Sequence, residues 1–257
     1  MIAILVAVKQ ELKPILARAD ARHIVRQQHL DFYEGTLGGK PVALLALGIG
    51  KECARIAAEM TIRCYRPDLI ISAGFGGGLL PEVREGDIVI GTEVLDLSED
   101  MGSEVCFRSS YALPHPPSMA INTDGFHIHH GKIITADDMV LKAATKSRLG
   151  KMTGALTVDM ETSAVAAVAR ARQTEFMAIR CITDNDHEDL PAEFNDFFVL
   201  GQLQPSRVMA ACVHSPRVLG QLARLGYRAK TSGANLARFL EEALSTLHLP
   251  ALAARDL

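Results

Sequence analysis

The sequence has few cysteines and little net charge, and these shortages exclude several classes of protein. Its five cysteines are scattered and form no Cys-x-x-Cys pair. That distribution predicts reduced thiols in a cytoplasm and argues against a disulfide framework or a zinc ribbon. A net charge of −3 over 257 residues gives no basic surface for nucleic acid or for an anionic membrane.

Long hydrophobic runs are also lacking. The apolar run at residues 2–8 is short, no basic region precedes it, and Lys9, Gln10 and Glu11 follow at once. It is typical of a core strand and unlike a signal peptide or a membrane span. We therefore expect a cytoplasmic protein with no membrane span.

What the sequence does contain is an alternation of short apolar runs with helical patterns. The apolar runs, rich in Ile, Val and Leu, are residues 2–8, 42–47, 69–73, 88–90, 133–135, 156–158 and 176–182. Helical periodicity covers residues 51–65, 160–172 and 233–244. This order predicts an α/β fold with a mostly parallel sheet. With no linker or repeat, we expect one domain over residues 1–257, with a divergent helical part from about 190.

Two glycine-rich turns follow predicted strands, but neither completes a nucleotide-binding motif. Gly48-Ile-Gly50 lacks the third glycine of the dinucleotide fingerprint, and the run 74–78 continues into Leu79 and Leu80. A P-loop is also missing. A nicotinamide-dependent oxidoreductase is therefore a weak alternative, and no cofactor is predicted. The glycines still allow backbone N–H groups to approach a ligand, or they form ordinary strand-exit turns.

Carboxylates stand at the ends of several predicted strands. They are Glu11, Asp137, Asp138, Asp159, Glu161 and Asp184. Because parallel sheets bind ligands at the carboxyl ends of their strands, we expect these acids to share one site.

In chain order these pieces resemble the nucleoside phosphorylase superfamily, and most closely its methylthioadenosine/S-adenosylhomocysteine nucleosidase branch. The matching pieces are residues 4–11, Gly48-Ile-Gly-Lys51, Ser72-Ala-Gly-Phe-Gly-Gly-Gly-Leu79, Glu85-Gly-Asp-Ile-Val89, Thr135-Ala-Asp-Asp138, Val158-Asp-Met-Glu-Thr162 and Arg180-Cys-Ile-Thr-Asp184. The resemblance spans roughly residues 1–190. It implies a twisted mixed sheet flanked by helices, a homodimer or higher homo-oligomer, and cleavage of the bond between a purine and a ribose.

The resemblance also implies roles for three acids. Asp184 matches the aspartate that protonates purine N7, which helps a poor leaving group depart. Burial or neighbouring carboxylates would keep Asp184 protonated. Glu161 matches the glutamate on the ribose hydroxyls, and Glu11 the carboxylate that activates the nucleophile. The alternatives are a solvated acidic loop for Asp184, a helix N-terminal acid for Glu161 and a surface acid for Glu11.

Further residues match positions that contact the substrate. These are Met160 on the sugar face, Met139 and Val140 beside the base, and Gly74, Phe75 and Gly76 in the glycine-rich turn. Core packing is an equal alternative for Met160. Asp137 is as well explained by a structural hydrogen bond.

The nucleophile is the least determined part of the site. Gly48, Gly50 and Lys51 match a phosphate or water site. Phe75 stands where phosphorylases often have a serine that binds phosphate, which favours hydrolysis. Cations from Lys51, Arg55 or Arg84 keep phosphate open as the nucleophile.

Beyond Asp184 the sequence departs from the methylthioadenosine enzymes. This part, including Pro216–Leu225, resembles the hopanoid-associated phosphorylase subgroup, which acts on a nucleoside with a large lipid at the 5′ carbon. An apolar lid of Phe194, Phe197, Phe198 and Leu200 would suit such a substituent, while helix packing or a subunit contact is the alternative.

The remaining alternatives concern metal and catalysis. The histidines at 115, 127, 129 and 130 lack a second cluster with ligand spacing, so a metal site is not predicted. A protein that binds a nucleoside without cleaving it remains a competing hypothesis, because a fold does not guarantee chemistry.

Overall fold

The computed structural model describes residues 1–27, 30–97, 103–108, 125–192, 194–199, 202–214 and 216–247. The strands are β1 (Ile2–Val6), β2 (Asp20–Gln27), β3 (Leu30–Leu37), β4 (Lys40–Ala46), β5 (Leu69–Gly78), β6 (Ile88–Leu97), β7 (Ser103–Arg108), β8 (Ile128–Thr135), β9 (Ala155–Asp159), β10 (Glu175–Asp184), β11 (Phe198–Val199) and β12 (Gln202–Leu203). The helices are α1 (Lys9–Arg18), α2 (Lys51–Tyr65), α3 (Ala143–Thr153), α4 (Thr162–Ala171), α5 (Pro205–His214) and α6 (Pro216–Thr246).

Strand β5 is the centre of the sheet because its two halves have different neighbours. From Leu69 to Ser72 it lies between β1 and β10 and runs parallel to both. At Gly77 and Gly78 it pairs antiparallel with β9 while β10 continues along its other edge. Strands β6 and β8 then link β10 to β9. Strands β5, β10, β6, β8 and β9 therefore close into a ring.

Outside this ring, β4 adds parallel to β1, and β3 and β2 extend the sheet as an antiparallel meander. The predicted α/β fold with a mixed sheet flanked by helices is confirmed. The meander was not predicted. Its strands are largely half-exposed, with Phe32 and Leu37 as the buried apolar side chains of β3, so they contain no continuous apolar run.

Helices cover both faces of the central strands. Ile4 of β1 packs in one core with α1 and α6, whereas Leu5 packs in a second core with α2 and α4. Because successive side chains of a strand point to opposite faces, all five residues of β1 are buried. This double burial is the reason for the short, wholly apolar runs in the sequence.

The predicted helices correspond to α2, α4 and the second half of α6. Helix α2 has the predicted bounds, and α6 begins well before the predicted 233. Of the irregular segment 98–131, the described residues include β7 and the start of β8, and residues 98–102 and 109–124, with His115, lie outside the described ranges. Within those ranges no helix is both long and apolar enough to cross a bilayer.

The turn between β3 and β4 provides a test of how this sheet contacts α6. Gly38 has φ +55°, and a Cβ there would lie 2.3 Å from the backbone oxygen of Glu241. Gly39 has φ +73° and open space around the same position. We expect Gly39→Ala to lower the free energy of unfolding by about 1 kcal/mol through strain alone. Gly38→Ala should lower it by about 3 kcal/mol, because the helix backbone must also move. Urea unfolding of both variants measures the difference, and equal losses would contradict the packing.

Candidate active site

Glu11 lies in the first turn of α1, just beyond the carboxyl end of β1. Its carboxylate accepts hydrogen bonds from the backbone N–H groups of Ala7 (2.8 Å), Val8 (2.9 Å) and Phe75 (2.6 Å). The side chain is 3% exposed. Burial raises the pKa of Glu11, against the opposing effect of the three N–H groups. Glu11 is therefore a buried acid fixed by the backbone, and the alternative of a surface acid is wrong.

The glycine-rich half of β5 provides the space for the acids. A Cβ on Gly74 would lie 2.9 Å from Oε1 of Glu11, and a Cβ on Gly77 would lie 3.2 Å from Oδ2 of Asp184. These glycines are thus not a strand-to-helix turn around a dinucleotide. They lie within a strand, where the lack of side chains lets carboxylates approach the backbone.

Glu161 directly precedes α4, and its carboxylate accepts hydrogen bonds from the backbone N–H of Gly50 (2.8 Å) and of Met160 (3.3 Å). Burial and the nearby carboxylate of Asp159 raise the pKa of Glu161 to about 8. The bond from Gly50 joins two distant segments, because Gly50 ends the loop that follows β4. Glu161 is therefore held at the cavity by the backbone on both sides.

Asp159, rather than Glu161, is the acid that accepts hydrogen bonds from backbone N–H groups at the start of α4. It accepts hydrogen bonds from the N–H groups of Glu161 and Thr162, both at 3.2 Å, and from the Thr135 hydroxyl at 2.8 Å. Because Asp159 satisfies these donors at the start of α4, the side chain of Glu161 is left to face the cavity.

Arg180 compensates the buried charge of Asp159. Its Nε lies 2.7 Å from Oδ2 of Asp159, and the guanidinium also donates to the hydroxyls of Ser72 (2.8 Å) and Thr162 (2.5 Å). A buried ion pair is stable only when its remaining donors and acceptors are also satisfied. This pair ties β10, β9 and β5 together behind the site, and sequence reasoning had assigned Arg180 no role.

Asp184 ends β10 and is also buried. Its Oδ1 accepts a hydrogen bond from the Thr183 hydroxyl (2.9 Å), and its Oδ2 accepts one from the ammonium of Lys146. Burial or neighbouring carboxylates were expected to act on Asp184; burial is present, and each of the three acids that follow in the sequence is paired with a base. Those acids have other partners: Asp186 contacts His187, Glu188 contacts Arg228, and Asp189 contacts Lys142.

Glu11, Glu161 and Asp184 line one cavity of about 370 Å³. A cavity of this size suits a ligand such as a nucleoside. Of the other predicted substrate contacts, Phe75, Gly76, Met139, Val140 and Met160 line it too, whereas Gly74 lies behind Glu11. Of the carboxylates predicted to converge at the strand ends, Asp138 and Asp159 also line the cavity, whereas Asp137 does not and pairs with Lys51.

Comparison with known proteins identifies the family. The model of the phosphorylase superfamily matches residues 1–214. The chain belongs to this superfamily. It is 32% identical over 183 residues to a 5′-methylthioadenosine/S-adenosylhomocysteine nucleosidase of Shewanella sediminis. The matched region covers 66% of this chain and 80% of that protein.

Solved structures show that the superfamily fold extends over nearly the whole chain. The 5′-methylthioadenosine/S-adenosylhomocysteine nucleosidase of Neisseria meningitidis, in complex with methylthio-immucillin-A, has a TM-score of 0.72 at 23% identity. That match covers 96% of this chain and 99% of the other. The futalosine hydrolase of Helicobacter pylori has a TM-score of 0.74 at 18% identity, covering 96% and 97%. The predicted resemblance to this superfamily is confirmed.

The three cations predicted for a phosphate site, Lys51, Arg55 and Arg84, either have acidic partners or lie at another cleft. Lys51 Nζ lies 2.5 Å from Asp96 and 2.7 Å from Asp137. Arg55 is paired with acids on its own helix, and Arg84 borders a separate cleft beside Asn185 and His187. The N–H of Gly50 donates to Glu161, and Ile49, between the predicted Gly48 and Gly50, lines the cavity.

An apolar wall forms the part of the cavity contributed by the chain beyond residue 189. Its members are Leu190, Phe194, Phe197, Val208, Leu222, Leu225 and Ala229. The rings of Phe194 and Phe197 pack together with centroids 5.8 Å apart. The side chain of Phe198 and the whole of Leu200, also predicted for a lid, lie outside the described structure. The contribution of α6 was not predicted, because only packing brings its two leucines to the cavity.

The raised pKa of Glu161 predicts how stability changes with pH. A carboxyl that binds its proton more tightly in the folded chain stabilises it at low pH. That contribution is lost as pH rises from the ordinary value of 4.5 to about 8. We expect Glu161→Gln to remove this loss, so that its stability relative to the wild type increases between pH 5 and pH 9 by a few kcal/mol, at about 1.4 kcal/mol per pKa unit.

Urea unfolding at several pH values measures this difference. Glu82→Gln, which changes an exposed carboxyl, provides the control and should follow the wild-type profile. A Glu161→Gln profile parallel to the wild type would show that Glu161 titrates normally.

Proposed function

We propose that this chain is an enzyme that hydrolyses the N-glycosidic bond of a purine nucleoside, with adenine as the favoured base. The observation that carries the proposal is the convergence of Glu11, Glu161 and Asp184 on one cavity. The relatives named above support it: one is a nucleosidase for 5′-methylthioadenosine and S-adenosylhomocysteine, another a futalosine hydrolase.

In this proposal Glu161 binds the ribose hydroxyls. Cleavage of an N-glycosidic bond passes through an oxocarbenium-like sugar, so an acid beside the ribose also stabilises positive charge as it develops. Its backbone bonds to Gly50 and Met160 fix the carboxyl before substrate arrives. That pre-organisation lowers the reorganisation needed in the transition state.

Glu11 is the group that accepts a proton from the attacking water. Its raised pKa makes it a better base than an exposed glutamate. The N–H groups of Ala7 and Val8 after β1 and of Phe75 in β5 hold the carboxyl in place at the cavity. Asp184 is the acid that protonates the departing purine, next to Val158, Met139 and Val140 as apolar neighbours of the base.

Water is the nucleophile we favour over phosphate. A buried phosphate dianion needs cations to offset its own charge, and Lys51 is already paired with Asp96 and Asp137. Phe75 also puts a ring where a hydroxyl donor would be needed, and the tip of that ring reaches toward Gly233 of α6.

The 5′ substituent that we propose is large and apolar. The apolar wall offers hydrocarbon and aromatic contacts, with no charged side chain among its members. Burying a methylene there contributes about 0.8 kcal/mol, so a long alkyl group would add substantially to binding. This agrees with the C-terminal resemblance to the hopanoid-associated subgroup.

Asp184→Asn tests the chemistry. An amide cannot give up a proton, so we expect base release to fall about 100- to 10,000-fold while the fold is kept. The assay follows free adenine from 5′-alkylthioadenosines by chromatography, with and without phosphate. Free sugar in both conditions is expected of the wild type, and sugar 1-phosphate would assign the chain to phosphorolysis.

Asp189→Asn, which alters an exposed acid of the same loop, is the control and should keep most of the activity. Nucleoside that binds tightly to the wild type without any base release would identify a binding protein instead.

The apolar wall is tested by Leu225→Asn. We expect kcat/KM for a long-chain 5′-alkylthioadenosine to fall at least about 10-fold, because a polar amide replaces apolar contact, while that for 5′-methylthioadenosine changes little. Tyr227→Asn on the exposed side of α6 is the matched control. Equal losses for long and short substituents would show that the wall does not contact the 5′ group.

A further inference from the structure

Lys146 is a fully buried lysine on α3 to which the proposed function assigns no role. Its Nζ contacts Oδ2 of Asp184 and donates to the backbone oxygens of Asn185 (3.2 Å) and Glu188 (3.0 Å). An ammonium has three N–H donors, and these three acceptors use all of them. A neutral amine would turn a lone pair toward one of the oxygens, so the arrangement fits the charged form.

Stability by itself does not require a buried charge at this position. Replacing a buried ion pair with apolar side chains is often neutral or stabilising. The neighbours of Lys146 on α3 include the buried Leu149 and Gly150, so this part of the helix would accommodate an apolar residue. Its position against the candidate general acid therefore points to a role in chemistry.

The surroundings of Asp184 raise a problem for proton donation. Both carboxyl oxygens accept hydrogen bonds, from the Thr183 hydroxyl and from Lys146. With both oxygens acting as acceptors, the geometry is that of a carboxylate, and a carboxylate carries no proton to give. The nearest group that can give up a proton is the Lys146 ammonium, which contacts Oδ2 of Asp184.

We propose that Lys146 supplies, through Asp184, the proton that the purine takes up as it leaves. This inference rests on the proposed function. As the C1′–N9 bond breaks, its electron pair moves onto the purine, and N7 takes a proton from the Asp184 carboxyl. The ammonium of Lys146 transfers a proton to that carboxyl and becomes a neutral amine. Water adds to C1′ and gives its proton to Glu11, and exchange with solvent then restores both groups. Lys146 is thus a positioning residue that acts through Asp184.

A comparison of two leaving groups separates this role from simple support of the loop. Nitrophenolate leaves as a stable anion and needs no proton, whereas adenine needs one. We expect Lys146→Met to lower kcat for an adenine nucleoside at least about 100-fold. Its kcat for a 4-nitrophenyl riboside with the same 5′ group should stay within about threefold of the wild type. Asp184→Asn should show the same selectivity.

Lys142→Met, an exposed lysine just before α3, is the matched control and should leave both rates unchanged. Equal losses on both substrates, or no loss on the adenine nucleoside, would overturn the role of Lys146.

Should the wild type not cleave the nitrophenyl riboside, a 6-chloropurine nucleoside replaces it, and a smaller loss than with adenine is then expected. Should Lys146→Met fail to fold, Lys146→Gln keeps donors for the two carbonyls and removes the charge. A wild type that releases no base from any nucleoside would instead refute the proposed function.

Discussion

The site depends on one constraint: positions 74, 76 and 77 in the second half of β5 must be glycine. A Cβ on Gly76 would lie 2.3 Å from the Thr157 hydroxyl, so β9 could not pair with β5 as it does. Gly74 and Gly77 leave the room that Glu11 and Asp184 occupy. Glycines in one stretch of β5 therefore allow the ring of strands to close and also allow Glu11 and Asp184 to lie against the strand.

The buried acid behind the site and the two glutamates within it are stabilised by different partners. Behind it, Asp159 is neutralised by Arg180 and has its remaining acceptors filled by hydroxyl and backbone donors. Within the cavity, Glu11 and Glu161 accept hydrogen bonds from backbone N–H groups, and burial raises the pKa of both. Carboxyl groups held by backbone N–H groups still have acceptor oxygens for a ligand, whereas a salt bridge would occupy those oxygens.

Asp184 is the exception, since its partner is a lysine. The contacts of that lysine with Asn185 and Glu188 also tie α3 to the loop after β10. Further along, Arg228 of α6 pairs with Glu188 and Glu85. The polar end of the cavity and the helix that supplies part of its apolar wall are thus connected through one loop.

The sequence by itself determined the α/β class, the bounds of α2 and the position of Glu11, Glu161 and Asp184 at the ends of strands, because buried strands leave short apolar runs and these acids follow the runs closely. It did not determine the β2–β3 meander, whose half-exposed strands lack such runs. Nor did it single out Lys146, Arg180 or the leucines of α6. Their roles come from contacts between segments far apart in the chain, and only the packing of helices on the closed ring of strands decides those contacts.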